Sequence, residues 1–427
     1  MGHAAIVVGA GIAGLASAIS LARTGWQVTV LERSPQLGEV GAGLAMTPNA
    51  VAAFRGLGFG DDDVAALGYP TRAGGIWDLK GRPILALPDT PVMRRSVGLI
   101  GVHRRRLHAA LHQRALACGV GIVTGTPVAT VDPGEPEGAP AVVEGREADL
   151  VVGADGMRSA MRAVLFPASR PVYSGYSSWR GIAPGAPGYT ALQQYWGPHA
   201  EFGIVRVAED ETYWYGYVAL PERTVIADEL GAARERFAGW ASPVQQVMAA
   251  TPPEVVLRHD VHHLPGGLPR YTTGRVVMVG DAAHGTLPTM GQGAATALED
   301  GLCVGLLVGA PVATGGRLAP VLDGFDAARR PRCRALARAS VASGHFGSHL
   351  GGGWRQTLRN SVMRLTPASA ITRGSHAAMG WTPPEPASPV LGTPARRTNV
   401  SQEEPHTETP APFGKASHQC PAGDPLA

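Results

Sequence analysis

The chain has 427 residues, 44% of them hydrophobic and 17% charged, with a net charge of +3. That length sets a prior of about two to three domains around a sizeable core. The composition excludes a mainly disordered chain, and the lack of a long basic run speaks against nucleic acid as a partner. Four cysteines, Cys118, Cys303, Cys333 and Cys420, form no CxxC pair and no histidine-flanked ligand pattern, so neither a disulfide framework nor a metal is expected.

In chain order, a short apolar run at 4–9 reads as a buried parallel strand that passes straight into a glycine loop, which leaves no place for a signal peptide. Residue 6 is Ile6 where N-myristoylation needs Ser or Thr, and no apolar run is expected to reach the ~18–20 residues of a membrane span. The cytoplasm is the expected home, without stable membrane insertion. A helix follows from Ile12 to Arg23 with Gly25 as its stop, then a second strand from Val28 to Glu32, which makes a βαβ unit. Residues 46–58 and 104–117 read as helices, 148–154 and 275–280 as further buried strands, and Ala294 to Leu307 as a long apolar helix. Between Tyr173 and Tyr217 lie seven of the nine tyrosines and three of the eight tryptophans, in runs broken by Gly and Pro that favour strands. Leu230 to Ala249 reads as one helix, and 326–346 and 354–365 as C-terminal helices. From Thr382 onward prolines recur and large apolar residues nearly vanish, so this tail is expected to be disordered and dispensable.

Three motifs carry chemistry. Gly9-Ala10-Gly11-Ile12-Ala13-Gly14 is a GxGxxG between a strand and a helix, and Glu32 ends the next strand near the ~20-residue offset of a ribose-binding carboxylate. The glycines permit a tight turn, close approach of backbone to a pyrophosphate and close helix–strand packing, and the helix N-terminus faces the phosphates. This pattern alone does not separate FAD from NAD. The second block is Gly153-Ala154-Asp155-Gly156-Met157-Arg158-Ser159-Ala160-Met161-Arg162; the third is Gly280-Asp281-Ala282-Ala283-His284 with Pro288 and Gly291-Gln292-Gly293.

In order and spacing, over about residues 4–345, the three blocks resemble the single-component flavoprotein monooxygenases, the salicylate-, hydroxybenzoate- and urate-hydroxylase-like aromatic hydroxylases. The resemblance implies an α/β fold: a Rossmann-like FAD-binding domain (1–75, 98–172 and 270–325), an inserted β-sheet substrate domain (76–97 and 173–269), C-terminal helices (326–381) and the Pro-rich tail (382–427). It implies bound FAD, transient NAD(P)H, and transfer of one oxygen from O2 to a small aromatic or electron-rich substrate through a flavin C4a-hydroperoxide. Carried over residue by residue, Glu32 holds the adenosine ribose, and Ala13, Arg33, Ala45 and Val128 line the FAD site largely through backbone. Arg104, in Val102-His103-Arg104-Arg105-Arg106-Leu107, contacts FAD; Asp281 binds the ribityl chain; Asp155 and Gly156 support the pyrophosphate region. Residues 236–244 loosely resemble the urate-hydroxylase branch, but the strand around Glu201 does not reproduce a urate site and that substrate is not carried over.

The third block has a direct physical reading too: Gly291-Gln292-Gly293 opens an apolar helix whose free N–H groups stabilise a negative flavin edge. His284 is assigned to the cofactor-binding turn rather than to catalysis, and His262-His263 to a strand end. The run Arg329, Arg330, Arg332, Arg334 reads as a solvated helix face, with an NADPH phosphate contact as the other reading. No catalytic residue is named. Pocket candidates are Tyr176, Trp179, Arg180, Tyr195, Arg206, Tyr213 and Tyr215, and period-2 alternation lets only one subset of the Tyr213–Tyr217 stretch face the substrate. Two other functions stay open: an FAD-dependent reductase or desaturase of an isoprenoid, and a flavoprotein that senses a ligand without turnover. The chain is expected as a monomer or homodimer.

Overall fold

The computed structural model describes residues 2–38, 42–185 and 189–385. It begins with β1 (Ala4–Val8), α1 (Ile12–Ala22) and β2 (Gln27–Leu31), whose strands pair in parallel from Ala4↔Gln27 to Val8↔Leu31. Next come β3 (Gly43–Met46), α2 (Pro48–Gly56), β4 (Gly68–Asp78) and β5 (Gly98–His103), then α3 (Arg104–Ala117), β6 (Gly121–Val123) and β7 (Leu150–Gly153). An antiparallel run follows: β8 (Val172–Pro184), β9 (Leu192–Gly197), β10 (Ala200–Arg206), β11 (Glu211–Ala219), α4 (Glu229–Arg236), α5 (Ser242–Ala249) and β12 (Leu257–His263). The chain then makes β13 (Thr272–Thr273), β14 (Val276–Met278), α6 (Gly293–Cys303), α7 (Leu318–Phe346), α8 (Trp354–Arg364) and α9 (Ala368–Met379).

Two sheets result. The first has the order β13-β14-β7-β1-β2-β6 and is parallel except for β13, with both faces covered as such a sheet requires. The second has nine strands in the order β12-β8-β11-β10-β9-β4-β5-β3, with Pro83–Ala86 added on β4. The expected domain limits need correcting here. The limit at 75/76 cuts through β4; β5, assigned to the cofactor domain, pairs with β4, and β3 pairs with β5, so both belong to the large sheet. The short run Gly43-Leu44-Ala45-Met46 carries no alternation that could have revealed this.

Alternation sorts the large sheet into two faces. Trp179, Phe202, Ile204 and Trp214 form one core with Phe237 and Val244 of the α4–α5 region. Tyr213, Tyr215 and Tyr217 therefore point to the other side, toward the parallel-sheet domain. The single helix expected over 230–249 is two, parted near Gly239, whose φ of +70° suits a residue without Cβ. Helix α7 starts at Leu318, earlier than expected, and carries Pro331 inside it.

The expectation about apolar runs also changes. Gly293–Ala313 is one helical run of 21 residues, passing through a π-helical stretch at Val304–Gly309, and by length and composition it could cross a membrane. However, 83% of its apolar window is buried inside the fold, so it is the core helix between α1 and α2. The tail from 386 onward lies outside the described residues.

Candidate active site

The three sequence blocks converge at the carboxyl edge of the parallel sheet. A Cβ on Gly9 would lie 2.5 Å from the Ala154 carbonyl oxygen, and one on Gly14 would lie 1.9 Å from that of Gly9, so the first and second blocks are locked together by backbone contact. A Cβ on Gly280 would strike that of Ala13 at 2.8 Å, which brings the third block against α1. Gly11, Gly156, Gly291 and Gly293 behave differently: a Cβ at each meets nothing within 4 Å. Within the three blocks, these four leave open backbone beside glycines that are hemmed in, which gives a ligand room to approach closely. This arrangement fits a dinucleotide laid along the α1 N-terminus and on to the Gly291–Gly293 turn.

Charged groups frame that surface. Glu32 Oε2 accepts the Ala10 amide at 2.8 Å and Oε1 that of Ser34 at 2.8 Å, so the carboxylate is fixed at the end of β2. Arg33 is exposed beside it, and half-buried Val128 follows β6 on the same edge. Asp155 Oδ2 accepts the Met161 amide at 3.1 Å, while its Oδ1 is buried without a partner. Asp281 is exposed at the start of the short turn Asp281–His284, and the Arg162 guanidinium holds the carbonyls of Asp281 and Ala282 from beneath. Ala45 sits on β3 opposite Gly101, and Arg104 opens α3. Pro288 starts a 3₁₀ turn that ends at left-handed Gly291. The Gln292 side chain turns away from the ligand surface: it is 3% exposed and accepts a hydrogen bond from Asn49 Nδ2 at 3.0 Å, so only its backbone is available there.

Behind the turn lies an ionic cluster that corrects the reading of the arginine run. Arg329 is 1% exposed; its Nε donates to Asp300 Oδ1 and its Nη2 to Glu299 Oε2, both at 2.8 Å. Arg332 bonds both oxygens of Glu299 at 2.7 Å, Arg330 pairs with Asp326, and Arg334 donates to the carbonyls of Gly266 and Leu268. Buried carboxylates must be paired, and this helix face supplies the cations. Asp300 Oδ2 also takes the Gly280 amide at 2.9 Å and His284 Nε2 at 2.5 Å, which puts His284 behind the cofactor turn. His284, Asp300 and Cys333 have ligand atoms within 4.8 Å of one another, but Arg329 already brings its cation to Asp300 and lies 3.7 Å from Cys333 Sγ. His262 pairs with Glu222 at 2.9 Å.

The tyrosine face closes over this edge. The Tyr213 ring fills the space beside Gly43, where a Cβ would come within 2.4 Å of it. Tyr215 donates to Glu201 Oε1 at 2.6 Å, and Gln194 Nε2 donates to both Glu201 Oε1, at 3.0 Å, and the Tyr215 oxygen, at 2.9 Å. Burial raises the Glu201 carboxyl above its ordinary value, against the pull of the Tyr215 hydrogen bond; burial and Glu201 raise the Tyr215 phenol far above its own. Tyr176 and Tyr217 pack with Leu287 of the cofactor loop. On the same face Arg180 has a buried Nε with no partner. Near it is His259, whose imidazole is held below its ordinary value, first by the protein around it and then by Arg180 and Arg104.

Of the pocket candidates, Tyr213, Tyr215, Tyr176 and Arg180 share this face. Arg206 does not: it has the parity of Phe202 and Ile204, lies over the Tyr69 ring at 4.1 Å and donates to the Tyr69 hydroxyl. Trp179 and Tyr195 belong to the opposite core. Sequence reasoning missed His259, the use of Gln194 and Glu201, and the Glu299–Asp300 pair inside an apolar helix; two adjacent acids in that helix were the available signal for a buried ion pair.

Comparison with known proteins agrees with this geometry. A family model described as "FAD binding domain" matches residues 3–340. The aurachin C monooxygenase/isomerase of Stigmatella aurantiaca is 34% identical over 400 residues, covering 90% of this chain and 99% of that one. The 3-amino-4-hydroxybenzoate 2-monooxygenase of Streptomyces cremeus is 35% identical over 380 residues, covering 84% and 91%. The crystal structure of Klebsiella pneumoniae HpxO complexed with FAD and uric acid superposes with a TM-score of 0.77 at 26% identity, covering 88% of this chain and 96% of that one.

Proposed function

Because the chain belongs to the FAD-binding-domain family and is an FAD-dependent monooxygenase acting with O2 on small aromatic substrates, we propose that it oxygenates an electron-rich ring held on the tyrosine face, with an acceptor oxygen of that ring bound by Arg180. The observation that carries this reading is the buried, unpartnered Arg180 Nε on the same face as Tyr213 and Tyr215. A buried donor without a partner is costly, and a phenolate, carboxylate or ring-carbonyl oxygen removes that cost. Aminohydroxybenzoates and 4-quinolones both offer such an oxygen, and relatives named for each kind of compound match most of this chain. The relatives named are monooxygenases and hydroxylases, and nothing favours the reductase, desaturase or ligand-sensor readings.

Bound FAD supplies the redox and oxygen-activating chemistry. The residues of the chain hold and enclose. Glu32, the α1 N-terminus, Asp155 and Asp281 would hold its nucleotide and sugar parts, and the N–H groups at the start of α6 would stabilise negative charge on it. Tyr215 stays a neutral phenol across the physiological range, because burial and Glu201 oppose its ionisation. Fixed by Glu201 and Gln194, it orients the substrate ring rather than accepting a proton. Tyr213, wedged on Gly43, and Tyr176 and Tyr217, packed on Leu287, exclude water from the cleft. NAD(P)H binds transiently, in keeping with the single GxGxxG fingerprint. Placement in the cytoplasm, as a monomer or homodimer, belongs to the same proposal; the buried Cys303 and Cys333 are unbridged thiols, as a reducing compartment keeps them.

The test is stopped-flow reduction of the FAD-loaded protein by NADH or NADPH against a panel of phenols, aminohydroxybenzoates, quinolones and purines, with oxygen-18 in the product. One class should accelerate reduction and acquire the label. For that class Arg180→Met should raise KM by roughly 10–100-fold, as loss of a charged hydrogen bond of about 1.5–3 kcal/mol requires. An unchanged KM in flavin-replete Arg180→Met would place the substrate elsewhere.

A further inference from the structure

We infer that helix α8 is a docking surface for an anionic membrane, seated flat on the lipid with the mouth of a histidine-lined cavity at the interface. At about 100° per residue, Trp354, Leu358, Val362 and Leu365 fall on one stripe of this helix. They are 71, 55, 53 and 83% exposed. The opposite side anchors the helix to the fold: Met363 packs with Ile84 and Trp196, and Arg359, 4% exposed, stacks on Trp196 at 4.9 Å and donates to the carbonyls of Phe346 and Gly347. The stripe is thus held outward by a fixed inner face. Of eleven exposed large hydrophobics among the described residues, five lie between Phe346 and Leu365, whereas the others are scattered along the chain. Such clustering marks an interaction surface, which single exposed side chains do not.

Charge selects the occupant. On the helical wheel Arg355 borders the stripe, and exposed Arg364, whose Nε donates to the Pro83 carbonyl at 3.2 Å, lies beyond Ser361 and Thr357 on its other side; neither arginine has a carboxylate partner among the described residues. Between Asp326 and Glu385 the sequence contains no Asp or Glu at all. Exposed Arg338 and Arg373 lie in the same acid-free segment. An apolar stripe bearing Trp and Leu between arginines is the pattern of a helix lying in a lipid headgroup region, drawn there by anionic lipid. A second copy fits poorly, since a symmetric contact would set these arginines against each other.

The cavity beside the helix gives the docking a use. It is about 620 Å³ and is lined by His199, His345, His349, Leu350, Trp354 and Arg355. At its inner side His349 Nε2 meets the Tyr217 hydroxyl at 3.0 Å, and its ring stacks on Tyr176 at 4.0 Å, so the cavity abuts the tyrosine face. An apolar aromatic substrate dissolved in lipid would enter by this route. The delivery step rests on the substrate site proposed above; the docking rests on the helix surface alone.

Vesicle flotation of the full-length, FAD-loaded protein tests the docking without any turnover. Vesicles of phosphatidylcholine with one-third phosphatidylglycerol should carry most of the protein upward, phosphatidylcholine alone little, and high salt should release it. Leu358→Asp/Leu365→Asp should lower the bound-to-free ratio at least tenfold with flavin content and melting temperature unchanged, and Arg355→Gln/Arg364→Gln should remove the preference for phosphatidylglycerol. Failure of the intact protein to float with phosphatidylglycerol vesicles overturns the proposal. Two results would name another occupant and equally overturn it: flotation that appears only after residues 386–427 are deleted, which assigns the stripe to the chain's own tail, and a dimer without flotation that Leu358→Asp/Leu365→Asp dissociates. Loss of activity on the substrate panel with flotation intact would instead fault the substrate site.

Discussion

Replacing Asp300 should damage both the stability of the protein and its grip on FAD, although Asp300 does not reach the cofactor surface. Its side chain is 0% exposed and serves four donors: the Gly280 amide at 2.9 Å, His284 Nε2 at 2.5 Å, Arg329 Nε at 2.8 Å and, more weakly, Cys333 Sγ at 3.7 Å. In Asp300→Ala the buried Arg329 keeps Glu299 as its carboxylate partner, while Gly280 and His284 lose their acceptor. Removing one partner of a buried ion pair costs about 3–5 kcal/mol, and an orphaned buried N–H about 1–3. These overlap within one network, so about 4 kcal/mol is the expected loss. Gly280 stands at φ +57°, immediately before Asp281, and releasing its amide should loosen the turn that presents this carboxylate. The assay is guanidinium unfolding together with the flavin-to-protein ratio after gel filtration. Asp300→Ala within about 1 kcal/mol of the parent, with full flavin, would refute the reasoning. The pH dependence follows from the same contacts. Burial pulls the His284 imidazole down, but Cys333 and Asp300 outweigh it and raise it well above its ordinary value. A raised folded-state value means that its stabilisation is complete below about 6.5 and is lost as pH rises through the folded value. Burial raises the Asp300 carboxyl, and His284 and Arg329 more than offset this, lowering it overall; its contribution is present above about 3.8 and is lost as pH falls through the depressed value. His284→Gln should flatten the alkaline decline in stability and also weaken the acid limb, because His284 is one of the two cations that lower the Asp300 carboxyl.

Gly11→Ala and Gly14→Ala separate the two kinds of glycine in the first loop. The Gly14 variant should fail to fold or lose several kcal/mol, because its methyl would lie 1.9 Å from the Gly9 oxygen; the Gly11 variant should melt like the parent without FAD yet bind FAD at least tenfold more weakly, and equal effects of the two would contradict the ligand surface. Asp281→Ala should reduce the flavin retained on purification while lowering apoprotein stability little, since its exposed carboxylate adds only a coulombic contact with Arg162; unchanged flavin content by absorbance would remove it from the site.

The parts of the fold legible in the sequence were those fixed by local rules. The βαβ unit announced itself through an apolar run, a glycine loop and Glu32, because a parallel strand buried on both faces and a backbone that must approach phosphate leave few residue choices. The tyrosine-rich strands were legible as strands, but which tyrosines faced the cleft was not, since Tyr213 and Trp214 are equally suited to a core. Only the register with β8 and β10 and the position of α4 and α5 on one face decide it. Arg206 was misplaced for that reason: one residue of parity put it with Ile204 rather than with Val205. The arginine run failed differently. Four arginines within six residues look solvated until Glu299 and Asp300, some thirty residues earlier, are found buried against them.

That last contact bears on how the site is built. The third block presents Asp281 from a turn whose geometry is held by Asp300, and Asp300 sits on the helix whose N-terminus, Gly291 to Gly293, forms the other side of the cofactor surface. The two turns proposed to hold the flavin are therefore tied by one buried carboxylate, which is itself paired to α7 through Arg329. The long helix α7 thus braces the spacing between Asp281 and the Gly291–Gly293 turn. The same helix leads, through His345 and the turn beyond it, to His349 on Tyr217 and to the exposed stripe of α8. Cofactor turn, tyrosine face and outer apolar surface are each in contact with α7 or with the turn that follows it, so a change at α7 should be felt at all of them while a change on the α8 stripe should be felt only at the surface.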